Sequence, residues 1–123
     1  MWKSYFADCE AVLNCIKKYL EAGKEGKSSI MASSFHKDAV VFEGNQPEEG
    51  NHTIKAFFSL IDGAGQDPDK NPPNQVSILD ITETTAVTKT IMVFHGQAYT
   101  DYHALVKTPN GWKIAAKIYH TMK

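Results

Sequence analysis

Three side chains able to carry protons stand close together near the end of the chain: Asp101, His103 and His120. A carboxylate paired with an imidazole is a common device for general acid and base work. An aspartate beside a histidine also strengthens the imidazole's hold on its proton. Asp101 and His103 are two positions apart, so on a β-strand they share a face. His120 joins them if the last strand packs alongside in matching parity. Such a cluster suits the acid–base chemistry of a cofactor-independent lyase or isomerase. Other titratable groups fit less well. A metal site would need His95 with His103 and His120, and His95 falls on the opposite parity, so no metal and no cofactor are expected. Cys9 and Cys15 are six apart on one expected helix and project from different faces, which reads as two core-side thiols and not a bridge.

Those residues need strands to hold them and helices to cover them. Trp2, Tyr5, Phe6, Cys9, Val12, Leu13, Ile16, Tyr19 and Leu20 recur at steps of three and four, the period of an amphipathic helix, which Gly23 and Gly26 end. A second helix fits 27–35, with Ile30, Met31 and Phe35 inward, and Val40-Val41-Phe42 reads as a first strand. Asn51 is the expected cap of a third helix whose inner stripe is Ile54, Phe57, Phe58 and Ile61 and whose stop is Gly63. The polar stretch 62–74 reads as a mobile connector or a pocket lid. Four strands follow, over 76–81, 86–94, 98–107 and 112–119, joined by tight turns at Gly96-Gln97 and Pro109-Asn110-Gly111 as an antiparallel meander.

Strand alternation sorts the side chains. Trp112, Ile114, Ala116, Ile118 and His120 fall on one face of the last strand. An even-numbered turn at Pro109-Asn110-Gly111 puts Leu105, His103, Asp101 and Tyr99 on that same face, and the next turn adds Phe94, Met92 and Thr90. This face should meet the helices. An unpaired buried carboxylate costs several kcal/mol, so the polar trio either satisfies itself or lines a wet cavity. Tyr19 from the first helix, with Met92, Phe94, Tyr99, Trp112 and Ile118, is expected to line a pocket of roughly 300 Å3 or more for a small apolar or aromatic ligand. The opposite face carries Val87, Ile91, Val93, Tyr102, Ala104, Val106, Ala115 and Tyr119. A sheet exterior this apolar marks an interface, and a homodimer packed through the outer sheet face is expected.

Composition sets the frame. A chain of 123 residues with 42% hydrophobic and 22% charged side chains reads as one domain, 1–123, of ordinary globular make-up. Lysine and arginine number 13 against 14 acidic residues, a net charge of -1, so no nucleic-acid partner is expected. No stretch approaches a membrane span and the opening residues do not read as a signal peptide, which makes the cytoplasm the expected compartment.

The pattern resembles the nuclear transport factor 2-like superfamily. Tyr19-Leu20-Glu21-Ala22-Gly23-Lys24-Glu25-Gly26 is similar to the end of its first helix, and Phe35-His36-Lys37-Asp38-Ala39 to its turn into the first strand. Tyr99-Thr100-Asp101-Tyr102-His103-Ala104-Leu105-Val106-Lys107 resembles its aspartate-bearing strand. Gly111-Trp112-Lys113-Ile114 and Lys117-Ile118-Tyr119-His120 resemble its closing strand. The likeness points to the lumazine-binding-like and polyketide cyclase-like (SnoaL-like) branch. It implies an α+β, cystatin-like fold in which three N-terminal helices pack on a strongly curved antiparallel sheet, forming a cone with a central pocket. Fold does not fix function. Three readings therefore stand side by side: a small-molecule-binding domain, a lyase or isomerase using Asp101 with His103 or His120 (which the resemblance implies would be dehydratase-, cyclase- or ketosteroid isomerase-like), and a dimeric interaction module.

Overall fold

Trp2–Glu25 forms a 24-residue helix, α1, in the computed structural model, which describes residues 2–123. Val12, Ile16, Tyr19 and Ala22 are buried on one stripe of it, as the three-and-four spacing requires. The first two turns behave differently. Trp2, Tyr5 and Phe6 continue the stripe but stay exposed. After α1, Gly26 takes φ 68° and approaches Gly65 so closely that a Cβ there would lie 2.2 Å from the Gly65 carbonyl carbon.

The expected helix over 27–35 is replaced by two single 3-10 turns, Ser28–Ile30 and Ala32–Ser34. Four serines in this short stretch favour local turns over a continuous helix. Asp62 holds the first turn by accepting from the Ser28 amide at 2.7 Å and the Ser28 hydroxyl at 2.9 Å. Strand β1, Phe35–Glu43, follows, and then helix α2, Ile54–Ala64. Thr53, not Asn51, caps α2, its hydroxyl accepting from the Ala56 amide at 3.2 Å. Asn51 instead accepts from the Thr53 amide and shapes the approach to the helix.

Strands β2 (Asn74–Ile81), β3 (Thr85–Phe94), β4 (Gln97–Thr108) and β5 (Gly111–Thr121) form the antiparallel meander. The sheet order is β1-β5-β4-β3-β2, and β1 lies parallel to β5, so one edge of the otherwise antiparallel sheet is mixed. The fold is α+β, with a long N-terminal helix against a curved, unclosed sheet. The β3–β4 hairpin turns through His95 and Gly96, both at positive φ, as a tight two-residue turn between twisted strands requires. The β4–β5 hairpin pairs Lys107 with Trp112 and Leu105 with Ile114, in keeping with an even loop.

The 65–73 segment is pinned and not free. Buried Asp67 donates its amide to the Lys24 carbonyl, and its carboxylate accepts from the amides of His95 at 2.8 Å and Asp69 at 2.9 Å. Burial pushes the Asp67 carboxyl up, but those two amides outweigh it and the net shift is downward. No helix among the described residues is long and apolar enough to cross a membrane.

Candidate functional site

Regular pairing along β4 and β5 fails at one point. Leu105 pairs with Ile114, but Ala104 pairs with Ala116, leaving Ala115 as an extra residue on β5. This is a β-bulge, and it exchanges the faces of everything beyond it. Trp112 and Ile114 point inward and are buried, as alternation requires. Past the bulge, Lys117 is buried and Tyr119 is half-buried on the helix side, whereas Ile118 is 52% exposed and His120 is exposed. The expected placement of Ile118 and His120 on the inner face is thus corrected, and so is that of Tyr119 on the outer one. Apart from the small pair Ala115-Ala116, which crowds a kink little, nothing local in the sequence marks the shift.

The other two members of the trio do face the helices. Asp101 is 1% exposed and His103 fully buried, opposite Thr90 and Thr88 on β3. They do not pair with each other. Asp101 Oδ2 instead accepts the phenol of Tyr19 at 2.5 Å, the only hydrogen bond it receives among the described residues. The Tyr19 oxygen also lies 3.6 Å from Met92 Sδ. Burial, and then the neighbouring Asp101 charge, push the Tyr19 phenol well above its ordinary range, so it stays protonated as a donor. The His103 ring meets the Tyr19 ring edge-on at 4.8 Å, and neither ring nitrogen has a hydrogen-bond partner among the described residues. Burial, with the nearby Lys117 charge, lowers His103 to about 3, so the imidazole is neutral at physiological pH.

Lys117 is the group that strand alternation missed. Its Nζ lies 4.0 Å from the Phe57 ring centroid, 4.7 Å from Tyr19 and 4.9 Å from Tyr119. It makes no hydrogen bond and no ion pair with the described residues, and it opens onto a cavity between the helices and the sheet. Burial lowers its ammonium to about 8, with Asp101 holding it from falling further. Tyr99 and Tyr119 also titrate above their usual range, through burial first and then the Glu43 charge.

Tyr19, Tyr99, Asp101, Lys117 and Tyr119, but not His103, border a cavity of about 100 Å3 between α1, α2 and the sheet. Tyr19 and Gly23 come from α1, and Phe57, Leu60 and Ile61 from α2. Met92, Phe94, Tyr99, Asp101, Lys117 and Tyr119 come from the sheet. The space is smaller than the ~300 Å3 typical of drug-sized ligands. Four of the expected lining residues, Tyr19, Met92, Phe94 and Tyr99, do line it. Trp112 does not. It is a core anchor, its indole donating to Asp8 Oδ1 at 3.0 Å, and that carboxylate also meets Lys107 Nζ at 3.0 Å. The hydrogen bonds from Trp112 and Lys107 hold Asp8 below the usual carboxylate range. Phe57, Leu60 and Tyr119 also border a groove of about 350 Å3 that includes Glu43, Gln46, Glu49 and His52.

The chain has known relatives along nearly its whole length. Residues 7–120 match the family described as "Putative lumazine-binding". An aldolase, FrzH, from Cladobotryum sp is 27% identical over 118 residues, covering 94% of this chain and 92% of that protein. A nuclear transport factor 2-like protein of unknown function from Shewanella baltica superposes with TM-score 0.83 at 27% identity, covering 97% of both chains. Another such protein, from Methylobacillus flagellatus, gives TM-score 0.83 at 24% identity over 95% of this chain and 94% of its own.

Proposed function

The chain belongs to the family described as "Putative lumazine-binding", and from that premise we propose that it is a cofactor-independent lyase or isomerase that binds a small carbonyl compound between helices and sheet. It moves a proton at the carbon beside the carbonyl. The observation that carries this reading is the buried Tyr19–Asp101 bond of 2.5 Å in the cavity wall. It positions Asp101, which is 1% exposed and whose second oxygen receives no hydrogen bond from the described residues. A carboxylate facing the cavity can take a proton from a bound substrate through its second oxygen and later return it, while Tyr19 holds it in place. The Lys117 ammonium on the same wall adds positive charge where an enolate forms. The aldolase relative supports carbonyl chemistry of this kind.

Size narrows the ligand. A dry cavity of about 150 Å3 takes a benzene molecule, so about 100 Å3 suits a smaller carbonyl compound or the reacting end of a larger one. The remainder of a larger ligand would pass Leu60 into the groove beside Glu43 and Glu49. The test is deuterium incorporation beside the carbonyl across a panel of small ketones and aldehydes in heavy water, followed by NMR. Incorporation above background that Asp101→Asn abolishes supports the reading. No incorporation by the wild-type chain across the panel rejects it.

The outer sheet face supports an accompanying reading, pairing of two copies. Val87 is 40% exposed, Ile91 38% and Tyr102 43%, and Ile118 joins them through the bulge. Of the side chains on β3 between Val87 and Ile91, only Lys89 is charged, so two such faces meet without a large like-charge penalty.

A further inference from the structure

We propose that Lys117 is a catalytic nucleophile, condensing with the carbonyl of a small aldehyde or ketone in the helix–sheet cavity to form an imine. This rests on the reading that the cavity takes a carbonyl compound. It adds a covalent step which proton transfer by Asp101 does not itself require.

Placement argues first. A regular β5 would bring the side chain of Ile118 into the cavity wall, and the bulge at Ala115 brings a lysine instead. An apolar wall gains nothing in stability from a buried ammonium, since desolvation of the charge costs more than aromatic contact returns unless the charge is fully paired. Pairing is what Lys117 lacks. Its three donors find no acceptor among the described residues, and rings of Phe57, Tyr19 and Tyr119 surround the Nζ at 4.0, 4.7 and 4.9 Å. A lysine kept for structure would direct those donors at carbonyls or carboxylates, as Lys113 does toward the Ser33 carbonyl and Lys107 toward Asp8.

Reactivity argues second. An amine in an apolar pocket loses its proton more easily than one in water, and the free base is the form that attacks a carbonyl. Burial leaves Lys117 at about 8, so about a tenth of it is free amine at neutral pH, against well under one part in a thousand for an ordinary lysine.

The step balances without any co-reactant. The amine lone pair forms the C–N bond while the carbonyl π pair moves to oxygen, which takes up a proton. Loss of a proton from nitrogen and of the hydroxyl as water leaves the C=N bond. No atom is oxidised or reduced. Protonated, the imine draws electrons from the neighbouring carbon, whose proton passes to Asp101. The resulting enamine can attack a second carbonyl or be reprotonated, and water then hydrolyses the imine and frees Lys117.

The test uses the full chain with acetone near neutral pH and borohydride as the trap. Limited reaction followed by peptide mass mapping should place an isopropyl group on Lys117 before any other lysine, and Lys117→Met should remove it. An exposed lysine modified in preference to Lys117 in the wild-type chain overturns the proposal, whatever becomes of the variant. Deuterium exchange into acetone separates the two readings. If Asp101→Asn abolishes exchange while Lys117→Met leaves it at the wild-type rate, the imine is rejected and the proton-transfer reading stands. Loss of exchange in both variants, with trapping at Lys117, supports both.

Discussion

Tyr19 donates its phenolic proton to Asp101 across 2.5 Å, tying α1 to the middle strand of the sheet between residues 82 positions apart. The Trp112–Asp8 bond also ties α1 to the sheet, but the Tyr19–Asp101 bond lies in the wall of the cavity. Removing it should therefore be felt in both stability and function.

Tyr19→Phe leaves the ring in place and removes only the donor. Hydrogen bonds to charged groups are worth about 1.5–3 kcal/mol, so a loss of that size is expected in urea unfolding. A variant within a few tenths of wild type would mean that the Tyr19–Asp101 bond contributes nothing to the folded state.

Lys117→Met should raise stability near neutral pH, by about 1–3 kcal/mol, because an apolar side chain of similar length replaces a buried, unpaired ammonium. The sign of the pH dependence follows from the lowered folded-state value of about 8 against an ordinary 10.5. Between those values the unfolded chain binds more protons than the folded one, so the wild type gains stability as pH rises. The advantage of the methionine variant should shrink across that interval. Thermal unfolding of both proteins from pH 7 to 10.5 checks this, and a constant difference would contradict it.

His103 gives the acid counterpart. Its folded value of about 3 lies below the ordinary 6.5, so stability from this group is fully present above pH 6.5 and is lost as pH falls toward 3. His103→Leu should unfold less steeply over that range than wild type. Parallel acid titrations followed by circular dichroism would show it, and identical slopes would mean that the buried ring titrates normally.

Gly26→Ala should destabilise by about 2 kcal/mol or more, since it combines a left-handed backbone with overpacking. The added methyl would meet backbone atoms of Gly65 and not a flexible side chain. Gly50, also at positive φ but with nothing within 4 Å, is the control. Alanine at Gly50 should cost clearly less in the same denaturant assay.

Tyr102→Glu tests the outer face. If two copies pair there, sedimentation should show wild-type dimer and variant monomer with unchanged circular dichroism. A monomeric wild type at high concentration removes the pairing.

The sequence by itself determined much of this architecture. The three-and-four spacing of Val12, Ile16 and Tyr19 specifies α1, because a helix must bury one stripe, and strict alternation places Met92, Phe94, Tyr99, Asp101 and His103 on one face. That same alternation led past Ala115 to Ile118 and His120, because a period of two carries no record of one inserted residue. Only the pairing of β4 with β5 decided that the strand bulges, that Lys117 and Tyr119 face the helices, and that Asp101 bonds a tyrosine and no histidine. Parallel pairing of β1 with β5 was equally out of reach, since it joins strands from opposite ends of the chain whose contact leaves no local pattern. Periodicity is a property of neighbours in sequence, whereas the site is made by residues that only the paired sheet and its covering helices bring together.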